Sequence, residues 1–255
     1  MKRFDFLLLN LVRTSLASAV LALPAIYFGF GSGVYYALAS GAITLAAGDS
    51  LFLLSIKEMG ASIATPVVYS YVLFVQLTAT TVGEVVPFAN VVAAVMVIAG
   101  IYLLSRGEKG RPRAKGMALG VAAGLVWTVG QDLIRVATNA GGNVVAVAFS
   151  RDFAAAAALA VAVLATGRIR LWPRGTTKRE YAFLALIAIS DVALGSLLYV
   201  YSVSLVGIAV TVILTSISPL LTQVFSKALG KESPSGRDFV GGLLIMSAVI
   251  IAVVL

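Results

Sequence analysis

The chain alternates between long apolar stretches and short polar or glycine-rich breaks, and this pattern predicts nine membrane-spanning helices. A helix rises about 1.5 Å per residue, so it needs about 20 mainly apolar residues to cross a bilayer. The predicted spans are residues 6–28, 34–56, 62–82, 88–105, 116–138, 144–166, 181–203, 208–226 and 238–255. Breaks such as 29–33, 83–87 and 139–143 contain the glycine, proline and asparagine residues that end helices.

Composition supports this interpretation and excludes a soluble protein. Of the 255 residues, 60% are apolar and 12% are charged, against roughly a quarter charged in a soluble domain. Nine spans use roughly 180 residues and leave no room for a second domain. The sequence therefore predicts an all-α, polytopic transmembrane helical bundle. Because the chain has no cysteine and no histidine, we expect neither a metal site nor a cofactor.

The positive charges predict the orientation of the chain. All of the 19 Lys and Arg residues except Arg135 and Arg151 fall toward the ends of the spans that face the same side as the N-terminus. Cationic loops stay in the cytoplasm during insertion, so we expect a cytoplasmic N-terminus and an external C-terminus in the plasma membrane. The net charge of +8 thus reflects topology rather than nucleic-acid binding.

The sequence also contains an internal repeat. Glycine, glutamine and proline recur at a constant offset of 147 residues: Gly48, Gly60, Gln76, Gly83 and Pro87 match Gly195, Gly207, Gln223, Gly230 and Pro234. The repeats are residues 1–105 with four spans and 116–255 with five. Since equivalent helices lie five spans apart, they are expected to run in opposite directions. Such inverted repeats are typical of secondary transporters.

Several motifs resemble the EamA-type repeat of the drug/metabolite transporter superfamily. They are Ser218-Pro219-Leu220, Leu229-Gly230-Lys231-Glu232, Gly83-Glu84 before the fourth span, the start of the second half from Gly116 to Trp127, and Arg13 and Arg151 near the starts of the first and sixth spans. The resemblance implies ten helices, so the first helix of the usual ten is expected to be absent here. The neutral break at 29–33 further implies an orientation opposite to that of the usual member.

Charged residues inside the spans are the first candidates for function, because a central Asp costs about 2.5–3.5 kcal/mol. Asp191, near the middle of the seventh span, is expected to bind substrate or a proton, and Asp49 is the second proton-coupling candidate. The structural alternatives are a capped Asp191 and ion pairs of Asp132 with Arg135 and of Arg151 with Asp152. Arg13 is expected to extend toward the inner surface.

Polar and aromatic side chains along four spans predict the wall of a substrate cavity. The candidates are Tyr69, Gln76, Trp127, Gln131, Tyr199, Ser216, Ser218 and Gln223. Hydroxyl groups also serve ordinary helix packing in membranes, and this alternative remains open for the serines. Pro66 and Pro219 are expected to kink the third and eighth spans.

These features favour a secondary transporter that moves a small metabolite or amphipathic solute by alternating access, with proton coupling through a carboxylate as one option. The alternatives are a carrier of lipid-linked or anionic metabolites and a membrane scaffold or partner subunit without transport. An enzyme is not expected, since a Ser/His dyad is impossible and no glycine-rich nucleotide loop is present. The expected partners are a small-molecule substrate and the lipid bilayer.

Overall fold

A computed structural model describes residues 5–104, 113–171, 175–228 and 236–254, and all regular structure in these residues is helical. The α-helices are α1 (Phe6–Phe28), α2 (Val34–Gly41), α3 (Asp49–Met59), α4 (Ala61–Val68), α5 (Tyr71–Thr78), α6 (Phe88–Leu104), α7 (Ala114–Asn139), α8 (Val144–Ala165), α9 (Lys178–Ile187), α10 (Leu194–Thr215), α11 (Ile217–Ala228) and α12 (Gly236–Val254). The π-helical turns Ala42–Gly48 and Ala188–Ala193 connect α2 to α3 and α9 to α10, and 3₁₀ turns occupy Ala79–Val82 and Arg168–Leu171.

The predicted spans correspond to helical segments throughout the described residues. Six continuous helical stretches there are long and apolar enough to cross a membrane, and Phe88–Leu104 and Phe239–Val254 are shorter apolar helices. The stretch Lys178–Leu221 has 44 residues, about 66 Å at 1.5 Å per residue, which is twice the thickness of a bilayer core. It contains the seventh predicted span and residues 208–221 of the eighth. The prediction of an all-α, multi-pass membrane protein is therefore confirmed.

A single glycine divides that long stretch. Gly207 has φ +82° and ψ 172°, a backbone conformation that is essentially restricted to glycine. The helix therefore stops at Val206 and restarts at Ile208. This position agrees with the predicted boundary between residues 203 and 208.

The chain forms two compact units, and each unit takes segments from both predicted repeats. Unit 1 comprises Met1–Ser50 and Val129–Leu205, and unit 2 comprises Leu51–Thr128 and Val206–Leu255. The predicted division at 1–105 and 116–255 is a division of the sequence into repeats, and it stays a prediction.

In unit 1, α8 packs along α1 and α2, and each π turn packs against a helix of the other predicted repeat. The turn Ala188–Ala193 contacts α1, and the turn Ala42–Gly48 contacts α8. The approach of α2 to α8 is close, because a Cβ on Gly41 would overlap the backbone carbonyl of Arg151. Glycine at position 41 thus brings the two helices together.

In unit 2, small residues again set the distance between helices. α6 packs against α12, where a Cβ on Gly100 would lie 2.7 Å from Ile245 Cγ1. On α7, a Cβ on Gly116 would lie 3.0 Å from Met59, and one on Gly120 would lie 2.8 Å from Val67. These glycines support close helix packing inside the unit.

Backbone irregularities recur at the offset of the sequence repeat. Shifted by 147, the π turn Ala42–Gly48 would cover 189–195, and the observed second turn is Ala188–Ala193. Gly60 and Gly207 both have left-handed φ, +84° and +82°. The α4–α5 break lies at residues 69–70 and the α10–α11 break at 216, which is 69 + 147. These coincidences support the duplication.

Candidate functional site

An ion pair in unit 1 joins two helical stretches that are long and apolar enough to cross a membrane. Arg13 of α1 donates a hydrogen bond to the carboxylate of Asp191 in the second π turn. Asp191 lies 13 residues after Lys178, about 20 Å along the helix. The sequence did not anticipate this partner for Arg13, and the expectation that Arg13 extends toward the inner surface stays a prediction. The side chain of Asp191 remains 62% exposed, against 25% for Arg13.

The π turns create polar positions inside otherwise apolar helices. A π turn inserts an extra residue and disturbs the regular i→i−4 hydrogen bonds, and such turns occur frequently at functional sites. In the first turn, Asn10 Nδ2 of α1 donates to the backbone oxygen of Leu45 at 2.8 Å. Thr44 of that turn is the repeat equivalent of Asp191, and it lies against Gly130 of α7. Each π turn thus receives a polar side chain from α1.

A second polar cluster in unit 1 surrounds Arg151 of α8, which is only 3% exposed. Its Nε donates to Ser40 Oγ at 3.1 Å and a terminal nitrogen donates to Ser196 Oγ at 3.4 Å. Its guanidinium carbon lies 5.9 Å from the ring centre of Tyr199. The hydrogen bonds found for Arg151 go to hydroxyl groups, although the sequence suggested a pair with Asp152, which is fully buried.

Three aromatic rings of unit 2 pack around Trp127 of α7. They belong to Tyr71 at 5.2 Å, Phe52 at 5.5 Å and Tyr69 at 6.5 Å between ring centres, all in edge-to-face geometry. Tyr69 and Tyr71 flank the break between α4 and α5, which follows Pro66, a residue without a backbone N–H. The arrangement brings four aromatic rings of three helical segments together in unit 2.

The helix that begins after Gly207 is held by two side chains of unit 2. The carboxylate of Glu84 accepts hydrogen bonds from Ile208 N at 2.6 Å and from Ala209 N at 3.0 Å. Gln76 Nε2 donates to the backbone oxygens of Ala209 at 3.0 Å and Val72 at 3.2 Å. Gln76 is 2% exposed, so its amide nitrogen connects two helices in this conformation.

The structure brings together only some of the site residues expected from the sequence. Tyr69 and Trp127 meet in unit 2, and Tyr199 lies over Arg151 in unit 1. Gln131 and Ser216 are buried, Asp49 is half-buried at the start of α3, Ser218 is exposed, and the side chain of Gln223 lies outside the described residues. Their assignment to a substrate cavity stays a prediction.

Sequence reasoning missed Phe52, Tyr71, Ser40, Ser196 and Glu84 as parts of these clusters. Phe52 had one available signal, since the repeat aligns it with Tyr199, itself a candidate. Ser40 and Ser196 are single hydroxyls in apolar helices and carry no such signal. In the part of the chain that the structure describes, no group of three or more Asp, Glu, Cys or His residues could hold a metal ion.

Comparison with known proteins agrees with this architecture. No curated protein sequence matches the chain. A protein of known crystal structure superposes with a TM-score of 0.81 at 20% sequence identity, over 96% of this chain and 86% of the other, which shows a shared fold. The model of the EamA-like transporter family matches residues 1–106 and 114–254. With almost its whole length matched, this multi-pass membrane protein belongs to the EamA-like transporter family.

Proposed function

We propose that the protein is a secondary transporter that carries a small metabolite or amphipathic solute across the plasma membrane by alternating access. The observation that carries this proposal is the Arg13–Asp191 pair, which is placed at a π turn far from either end of its helix. Charged residues inside membrane spans are costly and mark pathways for substrates or ions. Membership of a transporter family supports the same conclusion.

The chemistry of the two units supports an amphipathic solute. Unit 1 contains the charged pair and the Arg151 cluster, whereas unit 2 contains the aromatic cluster around Trp127. Aromatic faces bind apolar or cationic parts of a ligand, and a few polar groups fix its orientation. We therefore assign Tyr69 and Trp127 to the solute and Asp191 to the step that opens or closes its path.

The proposed orientation places the N-terminus in the cytoplasm. It is supported by cations at the helix ends expected on that side, including Lys115 and Arg113, which pair with Glu58 at 2.7 and 3.8 Å, and Arg168, which pairs with Asp5 at 2.7 Å. Each of these cations lies beside a carboxylate at a helix end. The charge pattern along the sequence and the positions of these ion pairs therefore both favour the cytoplasmic side for these helix ends.

The test begins with the purified protein and a panel of amino acids, sugars, nucleosides, polyamines and small carboxylates. A ligand that binds the folded state raises its thermal stability, so stabilising compounds are taken forward. Each is then measured, radiolabelled, for counterflow into proteoliposomes. We expect Asp191→Asn to lower counterflow at least tenfold and the neighbouring Ser190→Ala to retain it. The proposal fails if none of the stabilising compounds is exchanged by the wild-type protein.

A further inference from the structure

The membrane-embedded helices of unit 1 carry more acidic than basic residues. Beyond the first and last turn of the long helical stretches they contain the arginines Arg13, Arg135 and Arg151 and the aspartates Asp49, Asp132, Asp152 and Asp191. An uncompensated negative charge is unfavourable in an apolar medium. The simplest way to balance the unit is for one of the four carboxyl groups to bind a proton.

One of the four carboxyl groups already has a cationic partner, since Asp191 pairs with Arg13. This leaves Asp49, Asp132 and Asp152 as the carboxyl groups that can hold the proton.

Asp152 has the surroundings of a protonated acid. It is 0% exposed, and among the described residues the one hydroxyl close enough to act on its carboxyl group is that of Ser196, which already accepts a hydrogen bond from Arg151. Its sequence neighbour Arg151 directs its guanidinium to Ser40 and Ser196. A carboxylate that is fully buried beside a single neutral hydroxyl is costly in its ionised form, and binding a proton removes that cost.

We propose that Asp152 is a proton-binding site and that it is protonated in the conformation described here. Its role as the coupling site of the carrier rests on the proposed transport function, whereas its protonation does not. The sequence alone favoured Asp191 and Asp49 for this task. We assign the proton to Asp152 instead, because Asp152 is buried and Arg151 donates its hydrogen bonds to Ser40 and Ser196.

The groups around Asp152 define how the proton can leave. Its immediate polar neighbours are Arg151 and Ser196. The negative charge of Asp49 and the ring of Tyr199 interact electrostatically with Arg151. The other charged pair of unit 1, Arg13–Asp191, joins α1 to the second π turn. The serine hydroxyls that hold Arg151 are neutral. If a conformational change breaks these contacts, the guanidinium can pair with Asp152, and the carboxyl group then releases its single proton to water. Return of Arg151 to the hydroxyls restores proton binding.

Infrared spectroscopy of the purified protein tests the protonation directly, without any solute. A protonated carboxylic acid has a C=O stretch that differs from the carboxylate bands and shifts in D₂O. We expect wild type to show this band at neutral pH, Asp152→Asn to lose it, and the matched variants Asp191→Asn and Asp49→Asn to keep it. A band of equal size in Asp152→Asn, or no band in wild type, overturns the assignment.

A neutral acid can be replaced by a neutral side chain of similar size without loss of folding. We therefore expect Asp152→Asn and Asp152→Val to be purified as folded proteins with thermal midpoints close to that of wild type. If neither variant folds while Asp49→Asn does, the charge of Asp152 is required and the proposal is wrong.

Proton movement tests the coupling role separately. Proteoliposomes loaded with a pH-sensitive dye receive the solute identified by counterflow. We expect the solute to drive a pH change with wild type and with the control Ser204→Ala, whose hydroxyl makes only a local bond to Tyr201, and none with Asp152→Asn. An unchanged pH signal in Asp152→Asn removes the coupling role, while the infrared result still decides whether Asp152 is protonated.

Discussion

The contact between Glu84 and the helix start at Gly207 leads to a quantitative prediction for a double-mutant cycle. A Cβ added to Gly207 would lie 2.6 Å from Glu84 Oε1 and 2.7 Å from Glu84 Cδ. Gly207→Ala therefore displaces the carboxylate that caps Ile208 and Ala209. The variant loses the cap as well as the backbone freedom of glycine.

The magnitudes follow from these two effects. Loss of a charged N-terminal cap costs about 1–2 kcal/mol, so Glu84→Ala is expected to cost that amount. Gly207→Ala adds about 1–3 kcal/mol for the left-handed backbone and is expected to cost about 2–5 kcal/mol. The double variant loses the cap only once, so it should cost about 2–5 kcal/mol rather than the sum of about 3–7 kcal/mol. The expected coupling is about 1–2 kcal/mol.

The assay is unfolding of the purified protein in SDS, followed by its own tryptophan fluorescence, for wild type, both single variants and the double variant. Gly60→Ala provides a matched control, because Gly60 has the same backbone (φ +84°) and no side chain of the described residues caps α4. Its cost should simply add to that of Glu84→Ala. Additive costs for Gly207→Ala and Glu84→Ala would refute the capping geometry.

Two further predictions concern glycine packing in unit 1 and solute binding in unit 2. Gly130→Ala should destabilise the protein by about 1–3 kcal/mol, because its Cβ would overlap the Thr44 hydroxyl. Gly195→Ala should be neutral or stabilising, because the added methyl group enters open space. Thermal midpoints check both variants, together with the double variant Gly130→Ala/Thr44→Ala, which should recover stability. Trp127→Ala should abolish stabilisation by the identified solute and Trp127→Phe should retain part of it, and equal thermal shifts in both variants would remove Trp127 from the site.

The sequence predicts the backbone of this protein better than its side-chain clusters. Apolar periodicity locates the spans because the bilayer imposes a fixed length on every crossing helix. Glycine and proline locate the interruptions, as at Gly207, because few other residues adopt that backbone conformation. The π turns carry no comparable signal, since Ala42–Gly48 and Ala188–Ala193 are built from residues that also form ordinary helices.

The polar clusters were harder to predict because they depend on which helix faces which. Arg13 has a charge that must be compensated, yet the sequence does not show that its partner lies 178 residues away in a π turn. Likewise, an Arg–Asp dipeptide suggests an ion pair, whereas Arg151 turns to hydroxyls on two other helices. The tertiary arrangement, not the residue pattern, decides which carboxyl group is compensated.

The two repeats share backbone features but carry different side chains at equivalent positions. The π turns are equivalent in position, but one presents Asp191 to Arg13 and the other presents Thr44 to Gly130. The free energy of exposing the turn to water therefore differs between the two repeats, because one turn carries a charged group and the other carries a hydroxyl. Moving an ion pair between a polar and an apolar environment changes the free energy far more than moving a hydroxyl, so the stability of the Asp191 turn depends more strongly on its surroundings than that of the Thr44 turn.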